Sequence, residues 1–469
     1  MNDRPAELYD RESEWRHLRS LYESEGDELL FVLGRRRIGK THLLRGFCGA
    51  TGGLYYQASR QNEQDQLRLL TELIGEHFED LTLQSGASFP NWTALFDYIF
   101  RRSKKRPFLL VIDEFTYLTD ASPSVTSQLQ RAWDGRPDGT CLKLVLCGSY
   151  VSAMRGLEAS DQPLHGRRTG RMELAPFPFR AVKEFVPDWS FRERARLVAT
   201  IGRLPGHLTL VNADRRLAWN IQKLLLDPNG RLVDEAQFTL DAFVPNSDTH
   251  YALLDAIANG DRTWSGFAGR LELSGGSLTR PLEWLIGMGI VDRVVPITEK
   301  NPSRSKRAIY RVADPYLAFW HREIAPLVRR GSIGLAEPDQ LWKILRPRIE
   351  NHMGHVFEEI CREWVRESKE PFAPVQLGSW WDHRSQNEVD LVALSADRDL
   401  LCGECKWGTP TLSDLKKLRT RASMVATEFG AIRSQRLVLF SGRGDFGETL
   451  RKEASETGVI LVGPTQLNL

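Results

Sequence analysis

The fold is decided by the stretch LLFVLGRRRIGKT, residues 29–41, in which an apolar run leads into a glycine-containing turn. The last eight of these residues match the pattern G-x-x-x-x-G-K-[ST] at every fixed position. Glycines at the two fixed positions let the backbone turn tightly, so that successive amide groups and the start of the next helix face a polyphosphate. Lys40 then reaches the β- and γ-phosphates, and Thr41 offers a hydroxyl to Mg²⁺. The residues of this loop that we predict to bind ATP are Gly34, Arg37, Ile38, Gly39, Lys40, Thr41 and His42.

A second motif, FLLVIDE at residues 108–114, has two carboxylates directly after an apolar run that reads as a buried strand. Open α/β sheets bind ligands at the carboxyl ends of their strands. We therefore expect Asp113 to hold Mg²⁺ and Glu114 to polarise the attacking water. A third apolar run, residues 142–147, leads to Ser149. We predict that Ser149 either contacts the γ-phosphate or the water, or forms a simple turn.

The composition is that of an ordinary polypeptide of several domains. Of the 469 residues, 41% are apolar and 26% are charged. A chain of this length is too long to fold around a single hydrophobic core, so about two to four domains are expected. A net charge of +2 means that any nucleic-acid surface must be local. The six cysteines are scattered and include a single CxxC at Cys402 and Cys405, which predicts structural thiols in a reducing compartment. Without an apolar run of about 18 residues or a signal peptide, we expect a cytoplasmic protein with no membrane partner.

Alternating segment types predict four domains. In residues 1–178, short β-rich runs alternate with amphipathic helices, which indicates an α/β domain with a parallel sheet. A helical region follows at 179–246, then a third domain at 247–325 and a fourth at 326–469. The predicted strands of the first domain are residues 29–33, 54–56, 108–112, 142–147 and 172–174.

The third domain has the pattern of a winged helix. Its segments are predicted helices at 250–259, 263–271 and 277–287, followed by strands at 290–296 and 308–312. The loop between the strands is basic and contains Lys300, Arg304, Lys306 and Arg307. In a DNA reader the third helix, here carrying Arg280, enters the major groove while the wing grips phosphate. The alternative is a module for packing or oligomerisation.

The fourth domain carries a second set of candidate catalytic residues. Residues 354–358 are predicted to open a helix with Glu358 near its start, and Asp390 follows on a strand-like segment. On the next strand, alternation directs Glu404 and Lys406 to the same face. We expect Asp390 and Glu404 to bind Mg²⁺, with Glu358 completing or orienting the metal shell. Lys406 would activate water or stabilise charge on a phosphate.

The nucleotide motifs resemble the archaeal-type ATPases of the STAND branch of AAA+ proteins. The segment Leu8-Tyr9-Asp10-Arg11-Glu12 is similar to the F-x-x-R-E entry of that family, which implies that Arg11 lies near the nucleotide base. Residues 163–170 are similar to its L-x-G-R-R-T segment. The resemblance makes Arg167 or Arg168 an arginine finger or nucleotide sensor, and the alternative is a solvated basic turn.

The resemblance extends to the lid and to the end of the chain. Residues 202–206 look like the lid motif G-G-x-P, with Ile201 replacing one glycine, and imply that Pro205 contacts the nucleotide. The fourth domain resembles the PD-(D/E)XK nuclease core of the DUF234-type domain appended to many of these ATPases. Val389 stands where a proline is usual, as in the E-[VI]-D subclass.

Together these features predict an α/β protein with an AAA+-like P-loop domain, a helical lid, a winged helix and a restriction-endonuclease-like C-terminal domain. The expected function is an ATP-binding and ATP-hydrolysing protein that regulates or positions a Mg²⁺-dependent nuclease acting on DNA. The first alternative is a nucleotide-dependent signalling or scaffold switch whose C-terminal domain is inactive. The second is a structural or chaperone-like ATPase without a nucleic-acid partner. The resemblance also implies a nucleotide-dependent homo-oligomer.

Overall fold

The computed structural model of the chain describes residues 5, 8–104, 106–241, 244, 247–272 and 275–468. They form two compact units. The first unit reaches Pro176 and includes Leu204–Gly206, and the second comprises Phe177–Arg203 and the chain from His207 onward. The domain boundary predicted at residue 246 lies outside the described residues. No helix in the described part of the chain is long and apolar enough to cross a bilayer.

A parallel sheet of five strands lies at the centre of the first unit. Its strands are β1 (Glu28–Leu33), β2 (Leu54–Gln57), β3 (Phe108–Asp113), β4 (Leu142–Gly148) and β5 (Gly170–Glu173). The spatial order is β2-β3-β4-β1-β5, so β4 lies between the strand that enters the glycine turn and the strand that ends at Asp113. The near-continuous burial of β1, β3 and β4 is typical of parallel strands covered on both faces. The predicted P-loop α/β fold is confirmed.

Helices connect these strands and bury one side against them. Trp15 and Phe47, from the first two helices, pack with Val32 and Cys147 of the sheet. Asn62 and Asn91 each cap a helix by accepting a backbone N–H. The helices of the first unit are α1 (Glu12–Glu23), α2 (Lys40–Thr51), α3 (Glu63–His77), α4 (Leu81–Gln84), α5 (Trp92–Arg102), α6 (Phe115–Ala121), α7 (Val125–Asp134) and α8 (Val151–Gly156).

The chain then becomes helical, as predicted for the lid region. Ser190 and Glu193 form a capping box that fixes the start of the longest helix in this segment. The elements are a 3-10 turn at Phe179–Glu184, α9 (Phe191–Ile201), α10 (Pro205–Leu208), α11 (Leu217–Ile221), a π-helical turn at Gln222–Leu226, and α12 (Glu235–Asp241).

Three helices and an antiparallel hairpin follow, in the order predicted for a winged helix. They are α13 (Asp248–Ala258), α14 (Trp264–Leu271), α15 (Gly275–Gly287), β6 (Val291–Val294) and β7 (Ile309–Val312). The hairpin pairs Val291 with Val312. A 3-10 turn at Pro302–Arg304 lies in the loop between its strands.

The C-terminal part contains a separate mixed sheet in the order β12-β11-β10-β9-β8. Its strands are β8 (Gln376–Trp381), β9 (Glu388–Leu394), β10 (Asp399–Lys406), β11 (Ser434–Ser441) and β12 (Ile460–Val462). Neighbours are antiparallel from β8 to β10 and parallel from β10 to β12. The helices of this part are α16 (Pro315–Phe319), a π-helical turn at Trp320–Ile324, α17 (Ala325–Arg329), α18 (Ser332–Leu335), α19 (Pro338–Ser368), α20 (Leu412–Phe429), α21 (Glu448–Thr457) and α22 (Pro464–Leu467).

The helix that carries Glu358 starts much earlier than the sequence indicated. A start at residue 354 is wrong, because α19 begins at Pro338 and spans 31 residues. Pro338 occupies the first turn, where its missing N–H costs nothing, and the helix continues through Pro347. Leu341, Leu345 and Ile349 recur at helical spacing and are buried, which holds the added turns in place.

Candidate functional site

The glycine turn at residues 34–39 joins β1 to α2 in the first unit. Gly39 has a φ of 93°, which favours glycine, and it directly precedes the first helical residue. Arg37 also has a positive φ, 65°, and this non-glycine residue in a left-handed conformation marks local backbone strain. Ile38 is buried, whereas His42 is exposed on the first turn of α2. Backbone amides at this helix start therefore remain available to an anion.

The Lys40 ammonium lies inside the turn. It donates to the carbonyls of Gly34 at 2.7 Å and Arg35 at 3.1 Å, and to the Ser149 hydroxyl at 2.9 Å. Lys40 is 5% exposed, so these three contacts replace much of its hydration. The structure thus brings together two residues that the sequence assigned to the nucleotide, and does so across the β1–β4 pair.

Asp113 sits at the end of β3 and faces the phosphate turn. Thr41 donates its hydroxyl to Asp113 Oδ2 at 2.7 Å, and the amide of Glu114 donates to Oδ1 at 2.9 Å. Burial alone would raise the pKa of Asp113, but hydrogen bonds from Thr41 and Tyr55 outweigh it and lower that pKa. Asp113 is therefore an anion beside the Thr41 hydroxyl, which is the arrangement that Mg²⁺ with a triphosphate requires.

Tyr55 is a site residue that the sequence did not reveal. Its phenol donates to Asp113 Oδ2 at 2.5 Å from the neighbouring strand β2. Burial and the hydrogen bond to Asp113 raise the pKa of Tyr55, so the phenol keeps its proton. A tyrosine in a short strand carries no signal of this role, because the contact depends on the pairing of β2 with β3.

Glu114 is tied to the same group of residues. It adopts a left-handed conformation with a φ of 52° and accepts the Ser149 hydroxyl at 2.5 Å and the Ser149 amide at 3.2 Å. Ser149 therefore contacts both the Lys40 ammonium and the Glu114 carboxylate. These contacts place Ser149 beside two predicted site residues, and its contact with the γ-phosphate or the water stays a prediction.

Arg11 and the segment Leu204–Gly206 support the turn from outside. The buried Arg11 guanidinium donates to the carbonyls of Ile38 and Ala175, both at 3.0 Å, and pairs with Glu14 at 2.8 Å. The amide of Gly206 donates to the Arg37 carbonyl at 3.1 Å. These contacts fix the backbone of the turn, so Arg11 has at least a positioning role here.

The two arginines of residues 163–170 form ion pairs within the first unit. Arg167 binds Asp134 through two nitrogens at 2.9 and 2.7 Å, and Arg168 lies 2.8 Å from Glu158. A role for Arg168 on the nucleotide would require it to exchange Glu158 for phosphate. The assignment of Arg168 to the nucleotide stays a prediction.

In the C-terminal sheet, the predicted acidic residues and the lysine come together at the carboxyl end of β10. Lys406 Nζ lies 2.7 Å from Glu404 Oε1 and 3.6 Å from Asp414. Asp390 Oδ2 accepts the amide of Cys405 at 2.8 Å, which joins β9 to β10 beside Glu404. The other oxygen of Glu404, Oε2, is buried without a hydrogen-bond partner and has Arg421 3.7 Å away.

Glu358 approaches this group from α19. Burial would raise the pKa of Glu358, but His355 and Arg362 outweigh it and lower that pKa to about 2. Burial and the charges of Glu358 and Glu404 raise the pKa of Asp390 to about 8. Burial, together with the neighbouring carboxylates, thus favours the protonated form of Asp390.

The donor set fits a hard divalent cation. A cation would relieve the repulsion and could take Glu404 Oε2, which has no hydrogen-bond partner, as a ligand. Within the described ranges, however, no group of three or more His, Cys, Asp or Glu side chains is already arranged to hold a metal. Arg362, which the sequence did not single out, holds Glu358 at 3.0 Å and would have to yield.

The thiol of Cys402 and the basic loop lie outside these contacts. Burial raises the pKa of Cys402 to about 12, in keeping with a structural thiol. In the loop between β6 and β7, Arg307 donates to the Trp381 carbonyl and lies 3.5 Å from Glu428. Lys300, Arg304 and Lys306 are exposed, as is Arg280 on α15. The expectation that Arg307 grips phosphate is wrong in this conformation, because its guanidinium is used inside the fold.

Replacing Gly206 by alanine tests the support of the phosphate turn. A Cβ at Gly206 would lie 2.8 Å from Arg37 Cβ and 3.3 Å from the Arg37 carbonyl oxygen. Relieving such contacts typically costs ~1–3 kcal/mol, so Gly206→Ala should weaken ATP binding about tenfold or more in a calorimetric titration. Gly49→Ala, in α2 with no atom within 4 Å of the new methyl, should bind ATP like the wild type. Equal affinities for the two variants would contradict the bracing role.

The substitution Asp390→Asn tests whether the pKa of Asp390 is raised in the folded protein. Because its pKa is raised from 3.8 to about 8, the native protein binds this proton more tightly than the unfolded chain. Its stabilising contribution is full below pH ~4 and is lost as the pH rises towards ~8. In EDTA, the thermal midpoint of the C-terminal transition should fall over this range less steeply for Asp390→Asn than for the wild type. Asp397→Asn, whose side chain is 75% exposed, should keep the wild-type slope; parallel slopes for all three proteins would count against the shifted pKa.

Family comparisons divide the chain into two matched regions. Residues 8–199 match a family described as an ATPase domain predominantly from Archaea. Residues 320–419 match DUF234, described as archaeal and bacterial proteins of unknown function. An uncharacterized protein of Methanocaldococcus jannaschii is 29% identical over 416 residues, which cover 87% of this chain and 89% of the relative.

Solved structures with a related architecture include a Walker-type ATPase of Pyrococcus abyssi, with 23% identity, coverage of 68% of this chain and 97% of that chain, and a TM-score of 0.49. The ORC2 protein of Aeropyrum pernix, in its ADPNP–ADP complexes, has 15% identity, coverage of 74% and 97%, and a TM-score of 0.44. A STAND protein of Pyrococcus horikoshii with a tetratricopeptide repeat sensor has 17% identity, coverage of 78% and 51%, and a TM-score of 0.32. With all three scores below 0.5, the fold assignment depends on this chain's own strand order and turn geometry. The chain is thus similar to the predominantly archaeal ATPase domain family over residues 8–199 and to the DUF234 family over residues 320–419.

Proposed function

We propose that this protein binds and hydrolyses ATP and thereby regulates or positions a Mg²⁺-dependent nuclease site in its C-terminal domain, with DNA as the substrate. The observation that carries the nuclease part is the cluster of Asp390, Glu404 and Lys406 at the ends of two adjacent strands, with an unpartnered carboxylate oxygen in its centre. The ATPase part follows from the phosphate turn and the Asp113–Glu114 pair.

At the first site, the chain's own groups divide the work of phosphoryl transfer. The turn amides and Lys40 hold the β- and γ-phosphates, while Thr41 and Asp113 would hold Mg²⁺. Glu114 polarises the attacking water once Ser149 releases its carboxylate. Ser149 then remains beside Lys40, where its hydroxyl can donate to the γ-phosphate.

At the second site, Asp390 and Glu404 would hold Mg²⁺, and Glu358 would join or orient them. The cation supplies charge neutralisation on the scissile phosphate. Lys406 is 39% exposed, so its ammonium can leave Glu404 and donate to a phosphate oxygen or to the attacking water. A cation held beside Asp390 would lower the pKa of this carboxyl and so favour the ionised form that binds metal.

Residues of the lid segment contact elements of each proposed site. At the start of α9, Arg192 donates to the carbonyls of Trp407 at 3.2 Å and Gly442 at 3.0 Å, directly after β10 and β11. The end of α9 leads through Gly202 and Arg203 to Pro205, which lies 3.7 Å from the position of a Cβ on Gly39. If a nucleotide shifts the phosphate turn, we expect the shift to reach α9, whose Arg192 is hydrogen-bonded to Trp407.

The second candidate function is a nucleotide-dependent switch whose C-terminal domain only binds a partner. It is favoured by Arg362, which lies 3.0 Å from Glu358 and 2.6 Å from Glu359. Arg362 therefore neutralises Glu358, the third carboxylate of the proposed metal site. A buried arginine in a metal shell would make cleavage slow or absent. The cleavage assay below separates the two functions.

Removing the Lys40 ammonium should abolish tight ATP binding. The turn loses the one point charge that its carbonyls and Ser149 hold in place. Lys40→Ala should show no saturable binding of a fluorescent ATP analogue and no phosphate release. Lys452→Ala, an exposed lysine in α21, serves as the matched control. Wild-type affinity in Lys40→Ala would refute the assignment of the phosphate site.

Asp390→Asn and Lys406→Ala should each abolish Mg²⁺-dependent DNA cleavage and leave ATP hydrolysis unchanged. Asp390→Asn removes a metal ligand, and Lys406→Ala removes the ammonium group beside the scissile phosphate. The assay follows end-labelled DNA with ATP, ADP or a non-hydrolysable analogue, in Mg²⁺ or Mn²⁺. Asp397→Asn should cleave like the wild type. If the wild type cleaves no substrate in any nucleotide state, the switch replaces the nuclease.

A further inference from the structure

A cavity of about 900 Å³ in the second unit is lined mainly by positive charge. Its walls come from α9, α11, α19 and the loop after β11. The six basic residues that line it, together called the basic cleft, are Arg192, Arg196, Arg216, Lys343, Arg346 and Arg443. Among the described lining residues, the negative charges are Glu193 and Glu350, and Glu193 already accepts the Ser190 amide and hydroxyl in the cap of α9.

The remaining acid does not neutralise the cleft. Glu350 lies 2.5 Å from Arg196 and 3.4 Å from Arg192, and it accepts the indole N–H of Trp407 at 2.9 Å. Burial, and then the charges of Arg196 and Arg443, lower the pKa of Arg192, which reflects the crowding of cations. The other four basic residues are exposed and form no ion pair with any described residue: Arg216, Lys343, Arg346 and Arg443.

The basic cleft begins where the proposed cleavage site ends. In the pairing of β10 with β11, Lys406 lies opposite Ser441. The next residues, Trp407 and Gly442, both give their carbonyls to Arg192 of the cleft. Arg443 follows Gly442 directly, so the cleft adjoins the carboxyl ends of these two strands.

We propose that the basic cleft binds the phosphodiester backbone of a single nucleic-acid strand and leads it to Lys406. This inference rests on the proposed nuclease function and names the form of its substrate. Arginine and lysine side chains neutralise backbone phosphates without reading sequence. Trp342, half-buried in the same wall, provides a ring for base stacking, a combination typical of grooves for single strands. A cavity of about 900 Å³ has room for a few nucleotides of one strand.

The test measures binding of a fluorescent 20-nucleotide oligothymidylate to the full chain by anisotropy, in EDTA so that no cleavage occurs. The cleft variant combines Arg216→Ala, Lys343→Ala, Arg346→Ala and Arg443→Ala. The control variant removes the same charge elsewhere in the second unit, with Arg366→Ala, Arg384→Ala, Arg436→Ala and Lys452→Ala at exposed positions. Unchanged ATP hydrolysis and an unchanged thermal midpoint show that both variants are folded.

For single strands, each lost phosphate contact removes about 0.7 from the slope of log K against log salt, so the cleft variant should lose about 3 in slope and roughly 10²–10³-fold in affinity near 0.1 M salt. The control should change affinity by less than about threefold, as expected for charges outside the contact. Equal losses in both variants, wild-type binding by the cleft variant, or no oligonucleotide binding by the wild type would each overturn the inference. Preferential binding of a blunt 20-base-pair duplex over the single strand would also overturn it. Because no metal is present, absent cleavage in the nuclease assay leaves this result standing.

Discussion

The contact of Ser149 with both Lys40 and Glu114 is the constraint on which the nucleotide site depends. It exists because β4 is inserted between β1 and β3, so the end of a strand distant in sequence lies between the phosphate turn and the acidic pair. In this state the lysine and the glutamate are satisfied by the protein itself. Under the proposed function, a triphosphate would compete with these short hydrogen bonds, and its binding would be coupled to the release of Glu114.

In the second unit, the main electrostatic feature is the repulsion among three neighbouring carboxylates. Three carboxylates from α19, β9 and β10 converge, and the outcome is a protonated Asp390 beside a Glu358 that is held ionised by Arg362 and His355. Such a cluster has two stable solutions. A divalent cation can enter and displace the proton, or the arginine can remain and make the site a structural one.

Positive charge collects next to the carboxyl ends of β10 and β11. Trp407, the residue after Lys406, is hydrogen-bonded to Arg192 and Glu350, which both line the same cavity. An acidic centre beside a basic groove is the arrangement that the proposed cleavage of a phosphodiester would need, with the groove attracting the backbone and the acids holding a cation. The chain's low net charge of +2 conceals this separation, because acidic and basic groups cancel in the sum while remaining spatially apart.

The P-loop sheet and the order of elements in the C-terminal sheet could be predicted from the sequence by itself. Both follow from patterns of apolar and polar residues that are close together in the chain. The apolar run before Gly34, the run before Asp113 and the alternation around Glu404 each need only neighbouring residues to be recognised. Tertiary structure alone decided which side chains meet. Tyr55 reaches Asp113, Arg362 reaches the carbonyl of Asp390, and Arg307 turns inward to Trp381, through contacts between residues 28 to 74 positions apart. The start of α19 at Pro338 was likewise set by burial of its apolar stripe, a property of the neighbours that the helix finds in the fold.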